Sequence, residues 1–323
     1  MRIFIAGATG LIGRRLVRLL ANGDHTVIGT TSSPARAGEI TRAGGQPVVL
    51  DALNRKAVFA ALEATQPEVV IHQLTRLNPA ADFKRLDRDF ETTNQLRTRA
   101  VDYLLAAARQ VGAERFLAQS FTGWTNARTG GPAHGEEHPL DPDPAPSARQ
   151  TLAAIAQLEE AVTSATGITG IVLRYGLFYG PGTAISADGE VVTMVRRRRI
   201  PIVGNGGGVW SFVHIDDVAQ ATVAALASPT AHGRYNVVDD EPARVADWLP
   251  YLAQVVGARP PRRVPVWLAR PLLGEQGIRM MTEVRGSRNT HARQELGWEP
   301  RYPSWRVGFR DELAPTPAGA ATS

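Results

Sequence analysis

The sequence predicts an α/β fold, a doubly wound parallel sheet that carries a smaller, mostly C-terminal lobe. Three observations predict it. Over the first 175 positions, short apolar runs alternate with amphipathic stretches of ten or more residues, the pattern of strands joined by crossover helices. The first apolar run leads directly into a glycine-punctuated turn and a helix (MRIFIAGATGLIG). After Arg174 the alternation fails, which marks a second, smaller lobe.

The elements follow in order. Residues 2–6 read as a strand, and Gly7, Gly10 and Gly13 punctuate the turn into a helix over 14–21, with an apolar stripe of Ile12, Leu16, Leu19 and Leu20. Further strands are expected at 25–30, 47–50, 68–72, 115–118 and 169–174, with helices at 34–43, 54–64 and 149–165 between them. A long helix over 88–111 is expected from Leu96, Ala100, Tyr103, Leu104, Ala107 and Val111, which recur at helical spacing. Residues 124–147 form a long connection rich in Gly, Pro and Asp, read as a loop over the active site. Residues 210–238 (SFVHIDD, VAQATVAALA, RYNVV) read as strand, helix and strand returning to the main sheet. The tail 314–323 is expected to be disordered.

A strand that ends in such a turn aims backbone N–H groups and the positive end of a helix at one point, where a pyrophosphate can sit. Gly7, Thr9, Gly10, Leu11, Ile12 and Gly13 are therefore candidate cofactor-binding residues, and residues 1–175 with 210–238 a dinucleotide-binding, Rossmann-like unit. Residues 176–209 and 239–313 would form the substrate lobe. An acid at the end of the second strand favours NAD by accepting hydrogen bonds from the ribose and repelling a 2′-phosphate. Here Thr30, Thr31, Ser32 and Ser33 stand there, with Arg36 close behind and Arg14 nearby, so NADP is expected over NAD. Ser32 and Ser33 also suit capping of the next helix ahead of Pro34. Asp51 and Ala52, after the third strand, and Gln73, Leu74 and Thr75, after the fourth, are expected along the cofactor.

Composition bounds the rest. Hydrophobic residues make up 43% of the 323, enough for a sizeable core. No apolar run reaches the ~18 residues of a membrane span, and the chain opens on a strand instead of a secretory signal. The absence of cysteine excludes disulfides, thiolate metal sites and cysteine nucleophiles; a cytoplasmic, metal-free protein is expected. The net charge is +5, and the cations are nearly all arginine, lysine occurring only at 56 and 84. Arg196 to Arg199 lack interleaved aromatics and read as a solvated helix end near an anionic ligand, not a nucleic-acid surface.

Together these segments resemble the extended short-chain dehydrogenase/reductase family, in its NAD-dependent epimerase/dehydratase group. GATGLIG resembles its phosphate turn, VVLDALN its adenine contact, SFVHIDDVAQA its late strand and helix, LRYGLFYGPG the entry to its substrate lobe and ARQELGWEPRY its C-terminal signature. The resemblance implies a serine or threonine that polarises the substrate, a tyrosine that transfers the proton, and a lysine four residues later. Ser120 matches the hydroxyl residue. The Tyr-Lys pair is missing: counted from Glu159 or Glu160, the tyrosine position falls on Thr151 or Leu152 and the lysine position on Ile155 or Ala156. Four residues before Lys56 and Lys84 stand Ala52 and Ala80, so the sequence contains no YxxxK. Tyr175, after the sixth strand, is the expected substitute acid, with Tyr179 as the other phenol nearby.

The resemblance also implies that nucleotide-sugar enzymes carry an asparagine and an arginine at positions that here hold Leu177 and Trp210. An indole in place of a diphosphate anchor points to a less charged, aromatic or polycyclic small molecule, lodged among Trp124, Leu177, Phe178 and Trp210. The expected protein is an NADP(H)-dependent oxidoreductase of natural-product metabolism, a homodimer through 88–111 and 149–165. A non-redox dehydratase, epimerase or lyase and a non-catalytic NADP sensor stand as alternatives.

Overall fold

The computed structural model describes residues 1–76 and 82–314; the tail positions 315–323 lie outside the described residues. Seven strands form one sheet: β1 Arg2–Ala6, β2 Thr26–Thr31, β3 Gln46–Val49, β4 Val69–His72, β5 Arg115–Phe121, β6 Thr169–Tyr175 and β7 Gly233–Val237. Their order is β7-β6-β5-β4-β1-β2-β3, and every neighbouring pair is parallel. The direction of winding reverses between β1 and β4. A crevice opens there at the carboxyl ends of the strands, the place where open α/β sheets take their ligands.

The helices cover both faces: α1 Leu11–Ala21, α2 Ala37–Arg42, α3 Arg55–Thr65, α4 Val101–Gln110, α5 Arg149–Thr163 and α6 Ile215–Ala227. Strand side chains alternate between the faces, as the period of two requires. Ile3, Ile5, Ile71 and Leu117 pack under α1 and α6, whereas Phe4, Val70, Phe116 and Ala118 pack under α3, α4 and α5. Each of the buried Val, Ile, Leu and Phe side chains contributes about 1.5–3 kcal/mol. A third core, with Trp248, Trp305, Phe309, Phe212 and Tyr179, builds the smaller lobe.

Four expectations change. The helix expected over 88–111 is broken: short helical pieces at Leu86–Asp89 and Glu91–Gln95 lead into a wide π-type turn at Leu96–Ala100, and only then α4 begins. Of the two strands expected to rejoin the sheet, only β7 does. Phe212–His214 pairs instead with Leu177–Tyr179 in a separate two-stranded ladder. Helix Thr290–Leu296, expected in the lobe, packs on α6 and β7, with Ala292, Leu296 and Trp298 in the first core. The long connection after β5 is stitched down: Ala133–His134 pairs with Gly286–Ser287, and Arg128 bridges Asp141 at 3.0 Å and Glu283 at 2.7 Å. Among the described residues no helix is long and apolar enough to cross a membrane.

Candidate functional site

The turn between β1 and α1 is built by its glycines. Gly7 has φ +91°, and a Cβ there would lie 2.7 Å from the Gln73 carbonyl oxygen, so both conformation and space demand glycine. A Cβ on Gly13 would lie 2.8 Å from the Cα of Ala8 and overlap the Gly7 carbonyl. Gly10 differs. It caps α1 without a side chain, and a Cβ there would approach only the Gly7 oxygen, at 3.2 Å. Its surroundings are open, and the first-turn N–H groups of α1 have no intrahelical partner and no acid beside them. A phosphate group fits this cradle, and a Cβ on Gly10 would intrude on it.

The end of β2 frames the same turn. Thr30 Oγ1 accepts from the Gly7 amide at 3.2 Å, and Thr9 donates to Thr31 Oγ1 at 3.3 Å. Arg36 lies across the turn, donating to the Thr9 carbonyl at 2.6 Å and pairing with Glu39 at 2.8 Å. Ser32 beside it is exposed. The hydrogen bond from Arg36 holds the Glu39 carboxyl below the usual carboxylate range, and the nearby charges of Arg14 and Arg42 act in the same direction. Three guanidinium groups thus gather around one acid at the strand end. Asp51 is exposed and accepts from the Leu53 amide at 2.9 Å, while Ala52 is buried. After β4, the Gln73 amide continues the pairing with Ala6 at 2.9 Å, Leu74 packs into the second core and Thr75 is exposed.

The expected catalytic pair, Tyr175 and Ser120, lies buried. Tyr175 is 1% exposed, and its hydroxyl lies 3.0 Å from Gln73 Nε2 and 2.9 Å from Thr222 Oγ1. Burial pushes the phenol up to about 12. It is a strut joining the ends of β4 and β6 to α6. Ser120 is 5% exposed and donates to Glu159 at 2.7 Å. It is in phase with Phe116 and Ala118 and so faces α5. A hydroxyl proton held by a carboxylate is not available to a substrate carbonyl. Burial and the acids around it also raise Tyr179, which packs edge-on against Phe309.

Glu159 is held in turn by Arg174, at 2.5 Å and 2.9 Å, in a buried ion pair between β6 and α5. Counted from Glu159, the expected tyrosine and lysine positions fall on Thr151 and Ile155. Thr151 is fully buried; it donates to Asp87 at 2.8 Å and accepts from Asn94 at 3.1 Å. Ile155 is buried and apolar.

A small apolar recess opens beyond the end of β5, between the sheet and the smaller lobe. Trp124, Leu177 and Trp210 line it together with Phe121, Thr122, Gly123, Val209, Ser211, Met280 and Val284. Phe178 is not among them. Its neighbour Leu177 faces the cavity, so strand alternation turns Phe178 away, toward Tyr175 with ring centroids 5.9 Å apart. The polar groups of the wall are already used. The Trp210 indole donates to the Met280 carbonyl at 2.7 Å, the Thr122 hydroxyl meets that of Ser287 at 2.5 Å, and Ser211 accepts from the Ser287 amide at 2.8 Å. No charged residue lines this cavity, which suits a flat apolar ring. Sequence reasoning missed Met280 and Val284, because nothing local in a helix end marks it as the far wall of a pocket. Arg196 and Arg198 of the basic run donate to the carbonyls of Ala187 and Pro260.

The profile of the NAD dependent epimerase/dehydratase family matches residues 3–238. A 3-diazoavenalumate denitrifying reductase from a Streptomyces species is 44% identical over 318 residues, covering 97% of this chain and 100% of its own length. Among solved structures, the UDP-glucose 4-epimerase of Thermus thermophilus, in complex with NAD, superposes with a TM-score of 0.71 at 24% identity, with 97% of each chain covered. Human epimerase family protein SDR39U1 (isoform 2), with NADPH, gives 0.69 at 18% identity, covering 97% of this chain and 99% of its own. These neighbours establish the fold, and the matching family is one of NAD dependent enzymes.

Proposed function

The chain belongs to the NAD-dependent epimerase/dehydratase family, and from that premise we propose that it is an NADPH-dependent reductase of a small aromatic metabolite, not a nucleotide sugar, and that the metabolite loses a diazo group as dinitrogen. One observation supports this reading: Thr151 and Ile155, where the resemblance counted from Glu159 expects a tyrosine and a lysine, are a buried threonine and a buried apolar residue. Reduction of a carbonyl leaves an oxyanion, and a positioned acid contributes roughly 10²–10⁴ to the rate of such a step. When bound, the reduced nicotinamide would supply a hydride equivalent; a diazonium carbon that accepted it would gain a C–H bond and release N₂ with the C–N electron pair, so no oxyanion would form. The 44% identical reductase, whose name specifies a diazo compound and its denitrification, supports the same chemistry here.

The chain's own residues bind and shield. The N-terminus of α1, left open by Gly10, receives the pyrophosphate. Arg36, with Arg14 and Arg42, favours a 2′-phosphate and hence NADPH over NADH, and no acid of β2 opposes it. Trp124, Leu177 and Trp210 hold the ring and keep out water, which would otherwise convert a diazonium to a phenol.

The test is anaerobic turnover of an aryl diazonium carboxylate with NADPH deuterated at the transferring position, against a reaction without enzyme. One NADPH oxidised per N₂ released, with deuterium on the ring carbon, is expected, and simple ketones and aldehydes should remain unreduced. Ready reduction of those carbonyl compounds, or a product carrying protium at that carbon, would overturn the reading.

A further inference from the structure

Opposite the first turns of α5 lies a charge that the site described so far does not use. Arg97 sits in the π-type turn Leu96–Ala100, which packs against α5. The ring of His72, at the carboxyl end of β4, ties this turn to the sheet through Leu96 O at 3.2 Å. Single π-type turns are frequent at functional positions. Arg97 is 7% exposed, and among the described residues its guanidinium makes one side-chain hydrogen bond, a long one of 3.4 Å to Asn94 Oδ1. Burial pushes it down to about 10, and no carboxylate works against that shift. Residues 77–81 and 315–323, outside the described set, contain neither Asp nor Glu.

At neutral pH the group is charged and enclosed; among the described residues it has no carboxylate partner, only the Phe90 ring 6.0 Å away, and most of its five N–H donors are unspent. A buried charge without a counter-ion works against folding. The same position continues the buried stripe of Val101, Leu105 and Ala108, where an aliphatic side chain would fit the pattern. An anion from outside the protein would resolve the conflict. The dinucleotide's phosphates already have their positive charge elsewhere, at the N-terminus of α1 and among Arg14, Arg36 and Arg42 by the end of β2. The unmatched cation stands on the α5 side of β4.

We propose that Arg97 recognises a carboxylate of the substrate, so that the protein selects aromatic acids over their neutral counterparts. The assignment rests on the reductase reading for the aromatic part of the ligand, but its test needs no turnover. Protein loaded with NADP⁺ is titrated with benzoate and with benzamide, following tryptophan fluorescence or heat. Benzoate should bind at least about 10-fold more tightly, as a charge-assisted pair implies. Arg97→Met should remove that preference by weakening benzoate about 10–100-fold, leave NADPH affinity unchanged, and leave the melting temperature of the ligand-free protein equal or higher. Arg97→Lys, which keeps the charge but loses the fork, should retain part of the preference.

A lowered melting temperature in Arg97→Met would make the residue a structural cation and overturn the proposal. So would loss of NADPH affinity with the benzoate preference intact, or failure of the unaltered protein to prefer benzoate. If the preference holds while diazo reduction fails, the reductase reading falls and Arg97 keeps its role.

Discussion

Replacing Tyr175 by phenylalanine separates a strut from a catalyst. Thr222 Oγ1 donates its proton to the Val218 carbonyl at 3.0 Å, so the Tyr175 hydroxyl donates to Thr222 and accepts from Gln73 Nε2. Tyr175→Phe leaves Thr222 with its other bond and strands one buried amide donor of Gln73, whose Oε1 already lacks a partner. An unsatisfied buried donor costs about 1–3 kcal/mol. A chain of this size should therefore melt a few degrees lower, at about 2–4 °C or less for each kcal/mol. Turnover should stay within about 10-fold of the unaltered protein, the equivalent of ~1.4 kcal/mol on the barrier. A proton donor behaves otherwise and would cost ~10²–10⁴ in kcat. Scanning calorimetry and steady-state kinetics on the same preparation decide the matter. A hundredfold loss of kcat with an unchanged melting temperature would refute the strut.

Three further outcomes follow from the same geometry. Gly10→Ala should fold normally but weaken NADPH binding at least about 10-fold, because its Cβ faces the phosphate cradle; Gly13→Ala should lose about 1–3 kcal/mol as well, because its Cβ meets backbone. Paired denaturation and nucleotide titrations distinguish the two, and equal stability in both variants would contradict the geometry. Arg36→Ala should weaken NADPH about 10–100-fold and NADH by less than about 3-fold, measured by nucleotide fluorescence; equal losses would remove the 2′-phosphate assignment. Burial pushes His72 down to about 4 from 6.5. Between those values the unfolded chain takes up a proton that the native chain refuses, so stability present above pH 6.5 is lost as the pH falls toward 4, by about 3 kcal/mol in all. His72→Asn should flatten denaturation midpoints across that window, and an unchanged slope would exclude His72 as the cause.

The sheet was legible because crossover helices and buried parallel strands leave alternating apolar runs that no local rule obscures. The glycine turn was legible because its residues are answerable to backbone geometry, as Gly7 and Gly13 show. For the catalytic expectations, sequence gives position but not direction. Ser120 and Tyr175 stand at the expected strand ends, yet one is in phase with the α5 face and the other is roofed by α6. Leu177 and Phe178 are adjacent, and only alternation decides which of them sees the cavity. The break before α4 carries no Gly or Pro and so gave no local signal. Arg97 did leave one: a charged residue in register with an apolar stripe.

The strap between Arg128 and Glu283 joins positions 155 residues apart. The nucleotide cradle, by contrast, draws its turn, strand ends and arginines from the first 76 residues, while Met280 and Val284 close the cavity about two hundred residues later. At ~5–20 residues per second of synthesis, that separation amounts to on the order of 10–40 s. The nascent chain therefore exposes its cofactor site well before a substrate site exists. A dinucleotide arriving early would steady the first half of the sheet, and on the proposed reading the place for the reductant is built before the place for the substrate.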